Sequence, residues 1–445
     1  MSSTVSDYVS VIYIAAYAAA WGGTFLYHWR RVSYFGPGCY ILISYFIFAI
    51  ISLYLYLNKQ EYFLNIGWDQ LYLFPFIYLF LTMLYTSSPI LRYDYQQIHQ
   101  ITKPNTALLN TAMLVVAISS LVTTIMQWDI ISSSIGMMMV GSDSLSELYF
   151  SKTDLFEMVV QNVNNSNFLF KIFFILYRYV RDFNILFFLY YLTLKDRNKY
   201  ITILLGLGVF SEMLWALASG TRTNAVLPIF VIVITYLSLF KFYAERVKKV
   251  FTTTLLGVVV FFSILTVLLT ISRFDSTDVG TQGSIINYAG QANLNFNNYA
   301  LDDGGIRYGD RTMPFLKEML GLETPPDREA FTLKYSHLTI NDNYFSTYIG
   351  DFTIDFGPYW AIVIFLLFTT LFNFLLKIRN NDMTFDQLIV LYFIMVVCAK
   401  GAMYLFDFGG TGNYRIEGFI IMYLIFKLSG MQLNSIQIYG KRYSS

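Results

Sequence analysis

The sequence TLLGVVVFFSILTVLLTIS occupies residues 254–272 and contains no charged side chain. A helix needs about 20 apolar residues to cross the roughly 30 Å of hydrocarbon in a bilayer. Tyr8 to Tyr27 and Gly38 to Leu57 are runs of the same kind. These stretches predict membrane-spanning helices and place the chain among the all-α polytopic membrane proteins.

The composition of the chain supports this class. Of its 445 residues 56% are hydrophobic and 13% are charged, whereas soluble proteins carry about a quarter charged residues. The formal net charge of +1 argues against nucleic acid as a partner. Cys39 and Cys398 lie in apolar segments, where each is expected to pack as a small hydrophobe rather than in a disulfide or metal pair.

Hydropathy predicts a transmembrane helical bundle of about eleven spans, forming one integral membrane domain over residues 1–445. The predicted spans lie near residues 8–27, 38–57, 71–88, 107–127, 170–194, 200–218, 224–243, 250–272, 357–377, 384–405 and 415–431. Residues 1–7 contain no Lys or Arg, so we expect no cleavable signal peptide and a retained first span.

Lys and Arg recur in alternate loops, as in Arg30-Arg31 and the segment from Arg246 to Lys249. The positive-inside rule places these loops in the cytoplasm, the N-terminus outside and the C-terminus inside. Two long segments, 128–169 and 273–356, are then extracytoplasmic. The second is expected to cover an active site, because long ordered loops usually carry function.

Within the second loop, the segment from Thr312 to Leu320 predicts a short interfacial helix. Leu316, Met319 and Leu320 would share one face of this helix.

Several ionisable residues fall in the outer halves of predicted spans, where a charge is costly unless it is paired or hydrated. Arg178, Arg181 and Asp182 are spaced to share a helix face. They either neutralise one another, with the arginines extending outward, or form a cationic site for an anionic headgroup, which the planar guanidinium suits. Glu212 and Lys400 are expected to form an ion pair between spans.

Polar motifs follow in a defined order along the second half of the chain. Residues 219–225, SGTRTNA, form a turn that Gly220 permits, with Arg222 in the outer headgroup zone. Ile271-Ser272-Arg273 follows the eighth span, and residues 341–352, NDNYFSTYIGDF, close the outer loop. Asp355-Phe356-Gly357 then opens the ninth span.

This ordered set resembles the O-antigen polymerase, or oligosaccharide repeat-unit polymerase, family of bacterial inner membranes, over roughly residues 200–380. In that family a Gly-Ser/Thr-Arg turn precedes the seventh span and Ile-x-Arg follows the eighth. An Asn-x-Tyr-Thr segment then precedes Asp-Phe-Gly. The matching positions in this chain are Gly220-Thr221-Arg222, Ile271-Ser272-Arg273, Asn343-Tyr344 and Asp355-Phe356-Gly357. The chain departs from the pattern at Phe345 and Ser346, where Thr is common, and at Pro358, where a second Gly often follows.

The resemblance implies transfer of a growing glycan from undecaprenyl pyrophosphate to the non-reducing sugar of a new lipid-linked unit. Such a reaction needs a base near the acceptor hydroxyl and positive charge on the departing pyrophosphate. The candidate bases are His337, Asp351 and Asp355; the candidate pyrophosphate ligands are Arg222, Arg273, Arg181 and Arg311; the candidate sugar ligands are Asn343, Tyr344 and Asn297.

Simpler roles compete for some of these residues. His337 suits proton transfer near neutrality, but a solvated loop residue would look the same. Asp355 could instead cap the N-terminus of the ninth span. Asp302-Asp303 could be a metal-binding pair of a nucleotide-sugar transferase; we expect neither a metal nor a cofactor.

Other functions share part of this pattern. A lipid-linked oligosaccharide flippase or other transporter would also need cations for the pyrophosphate, but transporters tend to show repeated halves, and no repeat is visible in this sequence. An O-antigen ligase has a similar outer loop and a lipid A core acceptor. A non-enzymatic partner in glycan export is the third alternative. The resemblance further implies a bacterial inner membrane location and, as partners, a chain-length regulator and a flippase.

Overall fold

The computed structural model describes residues 2–58, 68, 70–140, 152–218, 222–274, 280–326, 328–340, 344–378, 381–404 and 413–442. Most of these residues are helical, and the strands are short, which confirms the all-α fold class. The chain divides into two compact units. The first comprises residues 1–94, 273–374 and 394–413, and the second comprises residues 95–272, 375–393 and 414–445.

Long and short helices follow one another along the described chain, with short strands between some of them. The first part of the chain contains α1 (Ser2–Val32), α2 (Pro37–Asn58), α3 (Leu73–Thr86), α4 (Ser88–Leu91), β1 (Gln100–Thr102), α5 (Thr106–Met126), α6 (Trp128–Val140), α7 (Lys152–Asn165), α8 (Phe168–Val180), α9 (Phe183–Thr193), α10 (Lys199–Ala218) and α11 (Arg222–Leu239). The rest contains α12 (Glu245–Phe274), α13 (Gly280–Asn295), α14 (Pro314–Met319), α15 (Arg328–Lys334), α16 (Thr347–Phe356), α17 (Pro358–Leu375), β2 (Asp382–Thr384), α18 (Phe385–Lys400) and α19 (Asn413–Arg442).

Four of the described helices are long and apolar enough to cross a membrane. They are Asp7–Val32, Pro37–Asn58, Thr106–Met126 and Pro358–Leu375. Leu73–Thr86, Phe183–Thr193 and Val226–Phe242 are apolar but shorter. The chain is therefore suited to a membrane, while the count of about eleven spans and their orientation stay predictions.

In the first unit, aromatic side chains hold α1, α2 and α3 together. Trp21 on α1 is fully buried, and its ring lies 4.9 Å from the ring of Tyr45 and 4.7 Å from that of Phe80. Helix α13 packs on α2 at Gly290, where an added Cβ would lie 3.0 Å from the carbonyl oxygen of Ile51. Backbones can approach so closely only where the side chain is absent.

In the second unit, the predicted span 170–194 is divided into α8 and α9. The backbone N–H of Asn184 and its side-chain Nδ2 both donate to the carbonyl oxygen of Arg181, at 3.1 and 3.0 Å. These local bonds replace the regular helical pattern at the junction. The prediction of one continuous helix was wrong at residues 181 and 182.

Three smaller features complete the fold. Strands β1 and β2 of the second unit pair in parallel, with Ile101 opposite Met383. Helix α14 confirms the short helix predicted between Thr312 and Leu320. Cys39 and Cys398 are buried free thiols, as predicted.

Candidate active site around Asp351 and Asp355

Asp355 lies near the C-terminal end of α16 and binds the turn formed by residues 307–312. Its Oδ1 accepts hydrogen bonds from the backbone N–H groups of Gly309 (2.9 Å) and Arg311 (3.3 Å). Its Oδ2 accepts from the backbone N–H (2.8 Å) and the hydroxyl (2.5 Å) of Thr312. The residue is fully buried. The alternative that Asp355 caps the N-terminus of the following helix was wrong, because its carboxylate caps this turn instead.

The turn bound by Asp355 has an unusual backbone conformation. Tyr308 (φ 53°) and Gly309 (φ 86°) are consecutive residues in the left-handed region, which Tyr rarely adopts. The N–H of Tyr308 donates to the carbonyl oxygen of Asp355 at 2.8 Å. Gly357 (φ 79°) then ends α16. Burial raises the pKa of the Asp355 carboxyl, and the hydrogen bonds from Thr312 and Arg311 offset only part of that rise.

Asp351 lies one turn before Asp355 on α16 and contacts Arg311. The guanidinium of Arg311 donates to Oδ1 of Asp351 from Nε at 3.1 Å and from Nη2 at 2.6 Å. The two side chains are 14% and 5% exposed. The hydroxyl of Ser346 lies 3.5 Å from the same oxygen. The structure thus brings together a candidate base and a candidate pyrophosphate ligand.

A second cluster surrounds Asp310, in the same turn as Arg311. Lys317 pairs with Oδ1 of Asp310, and the Nζ of Lys334 lies 2.6 Å from Oδ2. The Tyr335 hydroxyl donates to Oδ2 at 2.6 Å. Burial alone would raise the pKa of Asp310, but the hydrogen bonds from Lys317, Lys334 and Tyr335 outweigh it and hold that pKa below its usual range.

A buried ion pair between Arg307 and Asp303 lies next to this cluster. Arg307 is fully buried and donates to Oδ2 of Asp303 at 2.6 Å and to the carbonyl oxygen of Ile340 at 3.3 Å. The Tyr335 hydroxyl oxygen also lies 3.0 Å from the carbonyl oxygen of Arg307. Asp303, which the sequence offered as half of a metal-binding pair, is therefore the partner of Arg307.

The start of α16 is strained. Thr347 has φ 67°, which is unusual for a β-branched residue. Its N–H donates to the carbonyl oxygen of Met403 at 2.9 Å, and that of Tyr348 donates to the carbonyl oxygen of Gly401 at 2.9 Å. These two bonds hold the helix start, so Asp351 and Asp355 lie on an element fixed at both ends.

The remaining predicted residues lie elsewhere. His337 is exposed beyond α15, and Tyr344 is half-buried. The side-chain amide of Asn297 forms two hydrogen bonds with the backbone of Tyr72. It accepts from the Tyr72 N–H at 2.8 Å and donates to the Tyr72 carbonyl oxygen at 2.7 Å. Asn343 lies outside the described residues, as do the side chains of Arg222 on α11 and Arg273 on α12.

Arg181 lies in the second unit, among other ionisable groups. Its Nη1 lies 3.5 Å from the hydroxyl of Tyr177. Asp182 pairs with Arg415 at 3.0 Å, a partner that sequence spacing did not indicate. Glu212 interacts electrostatically with Arg181 and Arg415, and its Oε1 is buried without a hydrogen-bond partner among the described residues. The expected pairing of Glu212 with Lys400 would join the two units, and it stays a prediction.

Comparison of the chain with protein-family models, with curated proteins and with solved structures finds no match. Function must therefore be inferred from the residues and their geometry.

Proposed function

We propose that the protein polymerises lipid-linked oligosaccharide repeat units into a surface polysaccharide of the O-antigen or capsule type. The observation that carries this proposal is the contact between Asp351 and Arg311. It supplies a carboxylate and a guanidinium side by side, in the part of the chain that resembles the polymerase family. The apolar helices suit a substrate that is attached to a membrane lipid.

The reaction joins two lipid-linked units. The hydroxyl oxygen on the non-reducing sugar of the new unit forms a bond to the anomeric carbon of the growing glycan. The bond from that carbon to the pyrophosphate oxygen breaks, and its electron pair leaves with undecaprenyl pyrophosphate. Asp351 takes the hydroxyl proton as general base, and Arg311 stabilises the charge that develops on the leaving pyrophosphate.

Arg311 can exchange one anion for another in this scheme. Its planar fork binds a carboxylate or a phosphate by the same pair of donors. A pyrophosphate oxygen can therefore take the place of Asp351 Oδ1, which then becomes available to the acceptor hydroxyl. The base is released when the donor substrate binds.

Asp355 acts in this proposal as a positioning residue. Its carboxylate accepts the backbone N–H groups of Gly309, Arg311 and Thr312, so it fixes the turn that carries Arg311. His337 remains an alternative base.

The wider proposal follows from the resemblance. Arg222, Arg273 and Arg181 would contribute further pyrophosphate contacts, and Asn343 and Tyr344 further sugar contacts. The protein would act at the outer face of the bacterial cytoplasmic membrane, with a flippase supplying units and a chain-length regulator setting product size.

The test is reconstitution of the full-length protein in proteoliposomes with purified undecaprenyl-pyrophosphate-linked repeat units. A ladder of products differing by one repeat unit supports the proposal. Single transfer to added lipid A core would indicate a ligase, and movement of the units across the bilayer without bond formation would indicate a flippase. Either of these outcomes contradicts the polymerase.

A further inference from the structure

Amide side chains are concentrated at the end of α13 and in the π-helical turn Phe296–Ala300 that follows it. They belong to Asn287, Gln291, Asn293, Asn295, Asn297 and Asn298. Neutral amides with both donors and acceptors are the groups that hydrogen-bond sugar hydroxyls without selecting for charge. Some of these amides are bound within the fold, and others are not.

Three of the amides are used by the fold. Asn293 accepts from the Tyr17 hydroxyl at 3.1 Å and donates to the Ser52 hydroxyl at 2.9 Å. Asn295 accepts from the Trp68 indole N–H at 3.1 Å and donates to the carbonyl oxygen of Phe345 at 2.9 Å. Asn297 binds the Tyr72 backbone in both directions. These three attach α13 and its extension to the rest of the first unit.

The other three amides contain buried atoms that the fold leaves unsatisfied. Both Oδ1 and Nδ2 of Asn287, Oε1 of Gln291 and Oδ1 of Asn298 have no hydrogen-bond partner among the described residues. Asn287 is 0% exposed and Gln291 is 4% exposed. A buried amide without a partner destabilises the fold, so its presence needs an explanation. One explanation is a binding site for a polar ligand, because the ligand then supplies the missing hydrogen-bond partner.

Asn287 and Gln291 point in a common direction. They are four residues apart and therefore lie on one face of α13, one turn above the other. Gly290, which packs on α2, is three residues after Asn287 and lies about 60° from it around the helix, whereas Asn293 lies about 120° from Asn287. The two unsatisfied amides thus share one face of α13, next to the contact of Gly290 with α2.

Aromatic rings cluster around Tyr288, the residue that follows Asn287 on α13. Tyr288 meets the ring of Phe345 edge-on at 4.8 Å, and Phe345 stacks on Tyr404 at 4.8 Å. Phe345 also connects to this helix through the bond from Asn295 to its carbonyl oxygen. Sugar rings have polar edges and apolar C–H faces, so neighbouring amides and aromatic rings match both.

We infer that Asn287 and Gln291 form a saccharide subsite, which binds a sugar ring of the oligosaccharide through its hydroxyl groups. The inference rests on the proposed function for the identity of the oligosaccharide. It replaces Asn297 as a sugar ligand, since the Asn297 amide is bound to Tyr72. The ligand class is a neutral polyhydroxyl compound, because these two side chains carry no charge.

The test replaces each amide by an apolar side chain of similar shape, as Asn287→Leu and Gln291→Met in the full-length protein. Removing an unsatisfied buried amide should leave the thermal unfolding midpoint unchanged or raise it. The KM for the lipid-linked repeat unit should rise at least about tenfold, because the sugar hydroxyls lose their partners. Asn297→Leu is the matched control and should lower the unfolding midpoint, because the partners of its amide at Tyr72 are then left unsatisfied.

Two results would overturn the inference. One is an unchanged KM in both variants. The other is a fall in the unfolding midpoint like that of Asn297→Leu, which would show that the fold uses these amides, for example through bound water.

A separate binding experiment keeps the subsite distinguishable from the enzyme activity. Free hexoses and N-acetylhexosamines should raise the unfolding midpoint of the wild type but not of Asn287→Leu, and this holds even if no polymer forms. If no sugar stabilises the wild type selectively, the subsite is rejected while polymerisation can still be observed.

Discussion

Arg311 reaches a single oxygen of Asp351 with two donors, Nε at 3.1 Å and Nη2 at 2.6 Å. The residues are 40 positions apart in the chain. Helix α16 carries Asp351, and the turn that Asp355 holds carries Arg311, so one helix positions both partners. Substitution of either partner, or of the residue that positions them, should therefore affect the same site.

Asp351→Asn should reduce chain extension by about 100-fold or more, because the amide cannot accept the hydroxyl proton. Arg311→Lys should also impair extension, since an ammonium cannot reproduce the planar pair of donors that Nε and Nη2 supply. Product ladders from proteoliposomes measure both. Lys248→Ala is a suitable control, because it removes an exposed ion pair with Glu245 that lies outside the proposed site. Ladders of normal length from Asp351→Asn would exclude Asp351 as the base.

Arg222→Ala and Arg273→Ala should each abolish chain extension while the protein remains in the membrane. The reason is loss of positive charge from the leaving pyrophosphate. Ladder length and the amount of protein in the membrane fraction are measured together. Full-length ladders from both variants would remove these two arginines from the pyrophosphate site.

Asp355→Ala should destabilise the turn of residues 307–312 by about 3 kcal/mol, because it leaves several buried donors without an acceptor. Hydrogen exchange of this segment reports the loss.

The titration of Asp355 also makes the stability of the wild type depend on pH. Its pKa is raised in the folded state, which means that folding favours the protonated carboxyl. The stability linked to this titration is therefore present at low pH and is lost as the pH rises through the folded-state pKa. Unchanged protection of residues 307–312 in Asp355→Ala would contradict the positioning role.

Asp310→Asn should destabilise the segment of residues 302–335 by about 2 kcal/mol at neutral pH, because Lys317 and Lys334 lose their anionic partner. The exposure of Lys334 to solvent keeps the loss of free energy this small. The pKa of Asp310 is lowered from its usual value of 3.8. Its ionised form thus stabilises the fold above that value, and this contribution is lost as the pH falls through the lower folded-state pKa.

The measurement for Asp310 is hydrogen exchange of residues 302–335 between about pH 6 and pH 3, within the range where an Asp titrates. The difference between the wild type and Asp310→Asn should shrink toward the acidic end. A difference that stays constant with pH would show that charge on Asp310 does not stabilise the segment.

The sequence predicted the apolar helices well because their signal is local. The predicted span 38–57 matches Pro37–Asn58, and 357–377 contains Pro358–Leu375. The break before α9 was missed, since it depends on Asn184 bonding to the carbonyl oxygen of Arg181 rather than on hydropathy.

The contacts within the candidate site could be predicted only in part. Asp351, Asp355 and Arg311 were all selected from the sequence, but their contacts could not be. Asp310 was missed because Lys334 and Tyr335 lie 24 and 25 residues away, with no periodic spacing to indicate the cluster. Asn297 was selected as a sugar ligand, yet its amide binds Tyr72, which is 225 residues distant. Sequence spacing identifies polar residues but not whether the fold has already used them.

The central claim is that each glycosidic bond forms with release of one undecaprenyl pyrophosphate. The most direct measurement counts both products in the same reaction, by mass spectrometry of the lipid and by gel analysis of the glycan, for the wild type and for Asp351→Asn. We expect one lipid pyrophosphate to be released for every repeat unit joined by the wild type, and nearly none to be released by the variant. Intact lipid-linked units after prolonged incubation with wild-type protein, or equal release by Asp351→Asn, would contradict it.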